Sequence, residues 1–204
     1  MSRKVLMLAA VLMVVACGGT DQTANNPSPS AASSPTPSAS AAGTPAALDP
    51  CQLVTQSEAS QLAGGTKFAA GKEETTSGGA KLCDYGGQTT DVFLVEVAVA
   101  PDAATAQADW AQEETQAKAG IQQLVAESGA NVNLNAADIS ISGADKAAAA
   151  TANGSFAGHT LGVTAIYMLK GAVFVTFSDL ARDKPVPTSA NMQAQAQIVL
   201  TRIP

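Results

Sequence analysis

Cysteine carries most of the chemistry open to this chain, whose 204 residues hold three cysteines and one histidine. Cys17 follows an apolar run from Leu6 to Ala16, itself preceded by the basic pair Arg3-Lys4. A basic start, a short apolar stretch and a small residue at the break are the pattern of a secretory signal. A cysteine directly after that small residue is the nucleophile that takes up diacylglycerol in a bacterial lipoprotein signal and becomes the new N-terminus. The stretch from Val5 to Ala16 is too short for a hydrocarbon core of about 30 Å, which needs roughly 20 helical residues. An ordinary secretory signal or a signal-anchor helix are the plainer readings. Two acyl chains anchor stably where one binds marginally. Residues 1–16 are thus expected to be a signal peptide and Cys17 a lipidated residue. The domain would then sit outside the cell, on the outer face of the plasma membrane.

With Cys17 lipidated, Cys51 and Cys83 remain as a pair. In an oxidising compartment such a pair usually closes. A redox-active or metal-binding pair is the alternative, but neither cysteine lies in a C-x-x-C and no histidine is near either. A structural staple is therefore expected, constraining the unfolded chain by roughly 3–4 kcal/mol in the chain-entropy treatment.

Other chemistry is sparse. A Ser-His-Asp arrangement would have to use His159, and the nearby Gly154-Ser155-Phe156-Ala157-Gly158 has its serine one place too early for a nucleophile elbow. Gly65 to Lys72 superficially follows a phosphate loop, but its inter-glycine spacing is too long by one and Glu73 follows where Ser or Thr is needed. It reads as a flexible connection. Glu73-Glu74 and Glu113-Glu114 are adjacent pairs, which do not face each other on a helix, and read as solvated charges. No catalytic residue, metal site or cofactor is expected, and the domain reads as non-enzymatic.

The elements that must hold these residues fall into two parts. From Cys17 to Ala47 the chain is almost wholly Ala, Ser, Thr, Pro, Gly, Asn and Gln, a composition that cannot bury a core. It is expected to be a disordered, proline-stiffened tether. Residues 48–204 then form one domain of ordinary size. Thr55-Gln56-Ser57-Glu58 is a capping box for a helix ending at Gly64-Gly65. Lys81–Tyr85 and Asp91–Val99 read as a hairpin across Gly86-Gly87, with Phe93, Val95, Val97 and Val99 on one face. Pro101-Asp102 opens a long helix to Ser128, in which Ala106, Trp110, Ala117, Ile121 and Leu124 share about a 60° arc. Ile139–Ile141 reads as a short strand, and Ala147–Ala152 as another, turning at Asn153-Gly154. Thr160–Leu169 and Ala172–Ser178 form a hairpin around Lys170-Gly171, and Ser189 caps a final helix carrying Met192, Ala196, Val199 and Ile203. The fold class is α+β: an antiparallel sheet with three packed helices.

The remaining candidates are apolar. Val92, Leu94, Ile166, Met168 and Phe174 load what reads as a second sheet face, which helices must cover or which lines a pocket. The speculative ligand site is Trp110, Tyr167, Ile166, Met168 and Phe174, for an apolar or mixed ligand. Removing Arg3 and Lys4 leaves nine basic against seventeen acidic side chains, a net of −8. That balance lacks the electrostatic footprint of a nucleic-acid binder and any polybasic patch for anionic lipid. The partners expected are therefore the membrane, through the diacylglyceryl-cysteine, and an envelope protein or small ligand, with no nucleic acid. An envelope hydrolase acting on wall or lipid substrates is the alternative, and would need His159 or a carboxylate couple.

A signal ending in Cys17, a Pro/Ser/Thr tether, Asp49-Pro50-Cys51 with Leu53-Val54-Thr55, and Cys83-Asp84-Tyr85 on a strand together resemble small secreted lipoproteins of actinomycetes, which belong to domain families of unknown function. The resemblance implies a Cys51–Cys83 bridge, a wall-facing location and no catalytic residues. The element order also resembles PsbP-like domains, on topology alone.

Overall fold

The structure, a computed structural model, describes residues 48–76, 78–86, 91–112, 131–156 and 158–204. Cys17, the tether, Gly87 and the expected helix beyond residue 112, with Glu113-Glu114, Ile121 and Leu124, lie outside the described residues.

Two short helices come first, α1 (Pro50–Leu53) and α2 (Gln56–Leu62). Asp49 caps α1 by accepting from the Cys51 amide at 2.8 Å, and Pro50 supplies the fixed φ suited to a first turn. The expected capping box opens α2: Thr55 Oγ1 accepts from the Glu58 amide, and Glu58 Oε2 accepts from the Thr55 amide. Strands β1 (Lys72–Thr75), β2 (Lys81–Asp84) and β3 (Val92–Val99) follow as a meander. Helix α3, described over residues 103–112, starts where Asp102 Oδ1 accepts from the Thr105 amide at 2.7 Å. A second meander comprises β4 (Asn131–Asp138), β5 (Lys146–Phe156), β6 (His159–Lys170) and β7 (Val173–Arg182). Helix α4 (Ser189–Arg202) ends the fold.

The result is one α+β domain: among the described residues, a seven-stranded antiparallel sheet in the order β1-β2-β3-β7-β6-β5-β4 with four helices, against the three expected. The seam between the meanders is the β3–β7 pairing, where Val95 faces Phe177 and Val97 faces Val175. Register carries one row across the sheet through Cys83, Val95, Phe177, Ile166 and Ala149. The next row runs through Val97, Val175, Met168 and Ala147. Leu53 and Ala59 from the first two helices, Val54 from the link between them, and Met192, Ala196 and Val199 from α4 close over these rows as one hydrophobic cluster. Each large side chain so buried contributes about 1.5–3 kcal/mol.

Several local expectations give way to longer ladders. Asn153-Gly154 is not a turn: β5 runs unbroken to Phe156, with Asn153 opposite Gly162 and Gly154 opposite Leu161. Gly158 at φ 81° makes the reversal instead, because a continuous ladder outweighs a two-residue turn signal. Ile139 and Ile141 lie past the end of β4, and Ile141 is a buried core residue in a connecting segment. Ile166 and Met168 face the helix-covered core with Phe177 and Val175, not the second face with Phe174. Glu73 and Glu74 are exposed, as solvated charges should be, but they lie on an edge strand, Lys72–Thr75, and pair with Lys81 and Lys72. The N-cap of α4 is Thr188, one residue before Ser189. Cys51 sits inside α1 rather than ahead of a helix.

Cys51 and Cys83 are joined, with Cα atoms 5.2 Å apart, so the bridge ties α1 to β2. Tyr85 reinforces the tie by donating its hydroxyl to the carbonyls of Cys51 and Val54. Gly71 passes directly over this junction: a Cβ there would lie 2.4 Å from Cys83 Sγ and 2.7 Å from Tyr85 Cε1. Gly71→Ala should therefore destabilise the fold by about 1–3 kcal/mol. Chemical denaturation checks this, against an expected loss of roughly 3–4 kcal/mol when Cys51 and Cys83 are both replaced by Ala.

Candidate functional site

Among the described residues the two faces of the sheet differ in how they are covered. The face opposite the α1, α2 and α4 layer carries Leu94, Glu96, Tyr167, Leu169, Phe174 and Thr176, by the alternation of β3, β6 and β7. Helix α3 meets this face: Ala106 is fully buried, and Trp110 stacks on Phe174 with ring centroids 6.5 Å apart and planes within 7° of parallel. That separation lies in the range favoured for offset aromatic pairs. Trp110, Tyr167 and Phe174 are each partly buried. Tyr167 pairs with Thr176, two residues along β7 from Phe174, so its ring belongs to the same face. Burial first, and then the charge of Glu96, push the Tyr167 hydroxyl up to about 12, so it stays a neutral donor at any physiological pH.

The five proposed ligand residues therefore do not form one surface. Trp110, Tyr167 and Phe174 share the less covered face, whereas Ile166 and Met168, 0% and 1% exposed, point through the sheet into the opposite core. Successive strand residues point to opposite sides, so Tyr167 cannot share a face with either neighbour.

The charged groups fall into three places. Arg202 on α4 donates from both Nη atoms to Glu58, at 2.8 and 2.6 Å, and from Nη1 to the Leu53 carbonyl at 2.7 Å. This fork holds the last helix to the first two. It is the first cause that brings the Glu58 carboxyl down to about 2, with burial opposing. Lys170 Nζ donates to the Leu200 and Ile203 carbonyls, closing the C-terminal end of α4.

His159 Nδ1 lies 2.7 Å from Asp183 Oδ2 at the open end of β6. Asp183 also accepts from the Thr160 amide, and takes a positive φ of 57°. The His159 hydrogen bond, followed by that of Thr160, lowers the Asp183 carboxyl. Ser155 pairs with Thr160, which puts it on the side opposite His159. The histidine and carboxylate of a triad are thus together, and the nearby serine is not with them.

The third place was not foreseen. Asp91 and Asp179 are buried at 1% and 0% exposure. Asp91 accepts from Lys184 Nζ at 2.6 Å, from the Arg182 amide at 3.3 Å and from Thr66 Oγ1 at 3.4 Å. Neither carboxyl oxygen of Asp179 has a hydrogen-bond partner. A signal for it lay in the strand: Val173, Val175, Phe177, Asp179 and Ala181 alternate inward, so the period-2 pattern puts an aspartate in the core row once β7 extends past Ser178. Among the described residues no group of three or more His, Cys, Asp or Glu could hold a metal ion, and no helix is long and apolar enough to cross a membrane.

Fold and bridge together define a disulfide-stapled α+β domain built on one antiparallel sheet. The chain belongs to the family described as "Protein of unknown function (DUF3558)", whose profile matches residues 12–181. That match begins ahead of Cys17 and ends within β7, which meets the expectation of an uncharacterised domain family. No curated protein matches the chain. Among solved structures it is similar to PA94, a protein of unknown function from Pseudomonas aeruginosa, at 15% identity over 65% of this chain and 85% of that one. The TM-score is 0.34, and at that level the likeness carries no argument.

The Trp110–Phe174 stack is the measurable unit of the less covered face. A double-mutant cycle of Trp110→Ala and Phe174→Ala should give a coupling of about 0.5–1.5 kcal/mol in denaturant unfolding.

Proposed function

We propose that this chain is a lipid-anchored lipoprotein of the bacterial cell envelope, held on the outer face of the plasma membrane through Cys17. Its domain binds a protein partner or a small apolar ligand and does no chemistry. The observation that carries this reading is the Cys51–Cys83 bridge, with Cys83 buried in the core and Cys51 packed against it. A structural disulfide belongs to an oxidising, exported setting, which is where the signal read around Cys17 would deliver the chain. The Trp110, Phe174 and Tyr167 rings on the less covered sheet face support the choice of a binding surface. Aromatic rings of this kind offer large contact area with few rotamers to freeze.

The hydrolase alternative rests on the 2.7 Å His159–Asp183 pair. With Ser155 turned to the other side of the sheet, it would require a nucleophile from elsewhere.

Metabolic labelling with an alkyne fatty acid tests the anchor. The wild-type chain should take up label and sediment with membranes, and Cys17→Ala should do neither. An unlabelled wild-type chain would sink the anchor. For the binding surface, Trp110 emission should shift on titration with envelope lipid extract, and Phe174→Ala should weaken that response. Unchanged emission, together with no partner captured by crosslinking on intact cells, would remove the binding reading.

A further inference from the structure

The segment after β7 crosses the sheet end as a strap before entering α4, and three contacts seat it. Lys184 reaches Asp91 at 2.6 Å. Val186 lies over Gly162 so closely that a Cβ on that glycine would come within 2.8 Å of Val186 Cγ1. Thr164 Oγ1, fully buried, donates to the Pro187 carbonyl at 2.9 Å. Asp179 stands in register with Thr164 on one side and Phe93 on the other. It therefore lies in the same row as the strap contact Thr164, sealed from water and, among the described residues, without a hydrogen-bond partner.

A buried ionised carboxylate with no partner is among the most costly groups a fold can hold, and such groups take up a proton instead. Here the nearest charges relieve it only in part. Asp91 repels a second negative charge, and Lys184, the cation on the strap, is already hydrogen-bonded to Asp91. Of the other charged groups on the surrounding elements, Arg202 of α4 is held by Glu58, and Asp183 by His159. Lys67, between α2 and β1, is exposed.

We propose that Asp179 is a proton-dependent lock beneath the strap: neutral, it lets residues 183–188 seat on the sheet, and ionised, it sets a second buried carboxylate beside Asp91 so that the strap and the start of α4 lift. Burial, then Asp91, raise the Asp179 carboxyl from 3.8 to about 7, with Lys184 opposing. Because the seated state holds the proton more tightly than the lifted one, seating is strongest below the ordinary carboxylate range. It weakens as pH rises, until Asp179 is ionised in both states above about pH 7. The lock is tight in acid and loose at neutral pH. It makes no use of the lipid anchor and stands or falls separately from it.

Amide hydrogen exchange on the full chain, corrected for intrinsic rates, tests this from about pH 5 to about pH 8. In the wild-type protein the opening constant of residues 183–192 should rise with pH, by at most about tenfold per unit, and level off near neutrality. Asp179→Asn, which keeps the shape and removes the titration, should stay closed throughout. An NMR titration of the Asp179 carboxyl carbon gives a second reading in the unmodified chain. A flat wild-type exchange profile, the same slope in Asp179→Asn, or an Asp179 carboxyl titrating in the ordinary carboxylate range would each overturn the lock.

Discussion

The Cys51–Cys83 bridge is the constraint on which the helical cover depends. Helix α1 has four residues and α2 has seven, far below the length at which a helix holds itself in water. Both persist because the bridge and the Tyr85 hydroxyl fasten α1 to β2 and the adjoining chain. From that anchor order passes outward. Glu58, fixed at the start of α2, receives Arg202, and Arg202 holds α4 on the sheet. The last helix is thus positioned by a bond made far away in sequence. Gly71 allows the arrangement because any side chain there would collide with the sulfur.

Among the described residues the sheet is covered unequally. One face is closed by α1, α2 and α4 over Phe93, Val95, Phe177, Ile166 and Met168. The other carries Tyr167 and Phe174, with Trp110 laid flat on the latter. The same asymmetry sorts the polar groups. Tyr167 keeps its proton on the less covered side, where burial and Glu96 hold it neutral. Asp91 and Asp179 are driven into the core end under the strap. Asp91 is satisfied by three groups from two separate segments (Thr66 on one, Arg182 and Lys184 on the other), so one carboxylate knits the loop after α2 to the exit of β7. Asp179 receives nothing comparable, and its environment answers by favouring the neutral acid.

Much of this was legible one residue at a time. The capping box at Thr55 and Glu58, the stop at Gly64, the β2–β3 hairpin and the inward face of Phe93, Val95 and Val97 follow from local rules. So do the apolar positions of α4. What local rules misplaced were features settled by competition between segments. Asn153-Gly154 has the composition of a turn, yet the ladder between β5 and β6 passes through it. Glu73 and Glu74 are solvated as their composition suggests, but that they lie on an edge strand, where charge discourages further pairing, follows only from the pairing with β2. Ile166 and Met168 have the bulk of ligand-lining residues, but their face is chosen by register with Phe177 and Val175.

By itself the sequence determined composition-level and short-range properties. These are the parity of Cys51 and Cys83, the acidic balance, the α+β class and the capping box that starts α2, because each depends on composition or on neighbours within a few residues. Only the tertiary structure decided which residues meet. It separated Tyr167 from Ile166 and Met168, seated Trp110 on Phe174, and turned Ser155 away from His159. It also left Asp179 without a partner in the core. The physical reason is that alternation in a strand says which residues share a side, while register and the order of strands say what that side will face.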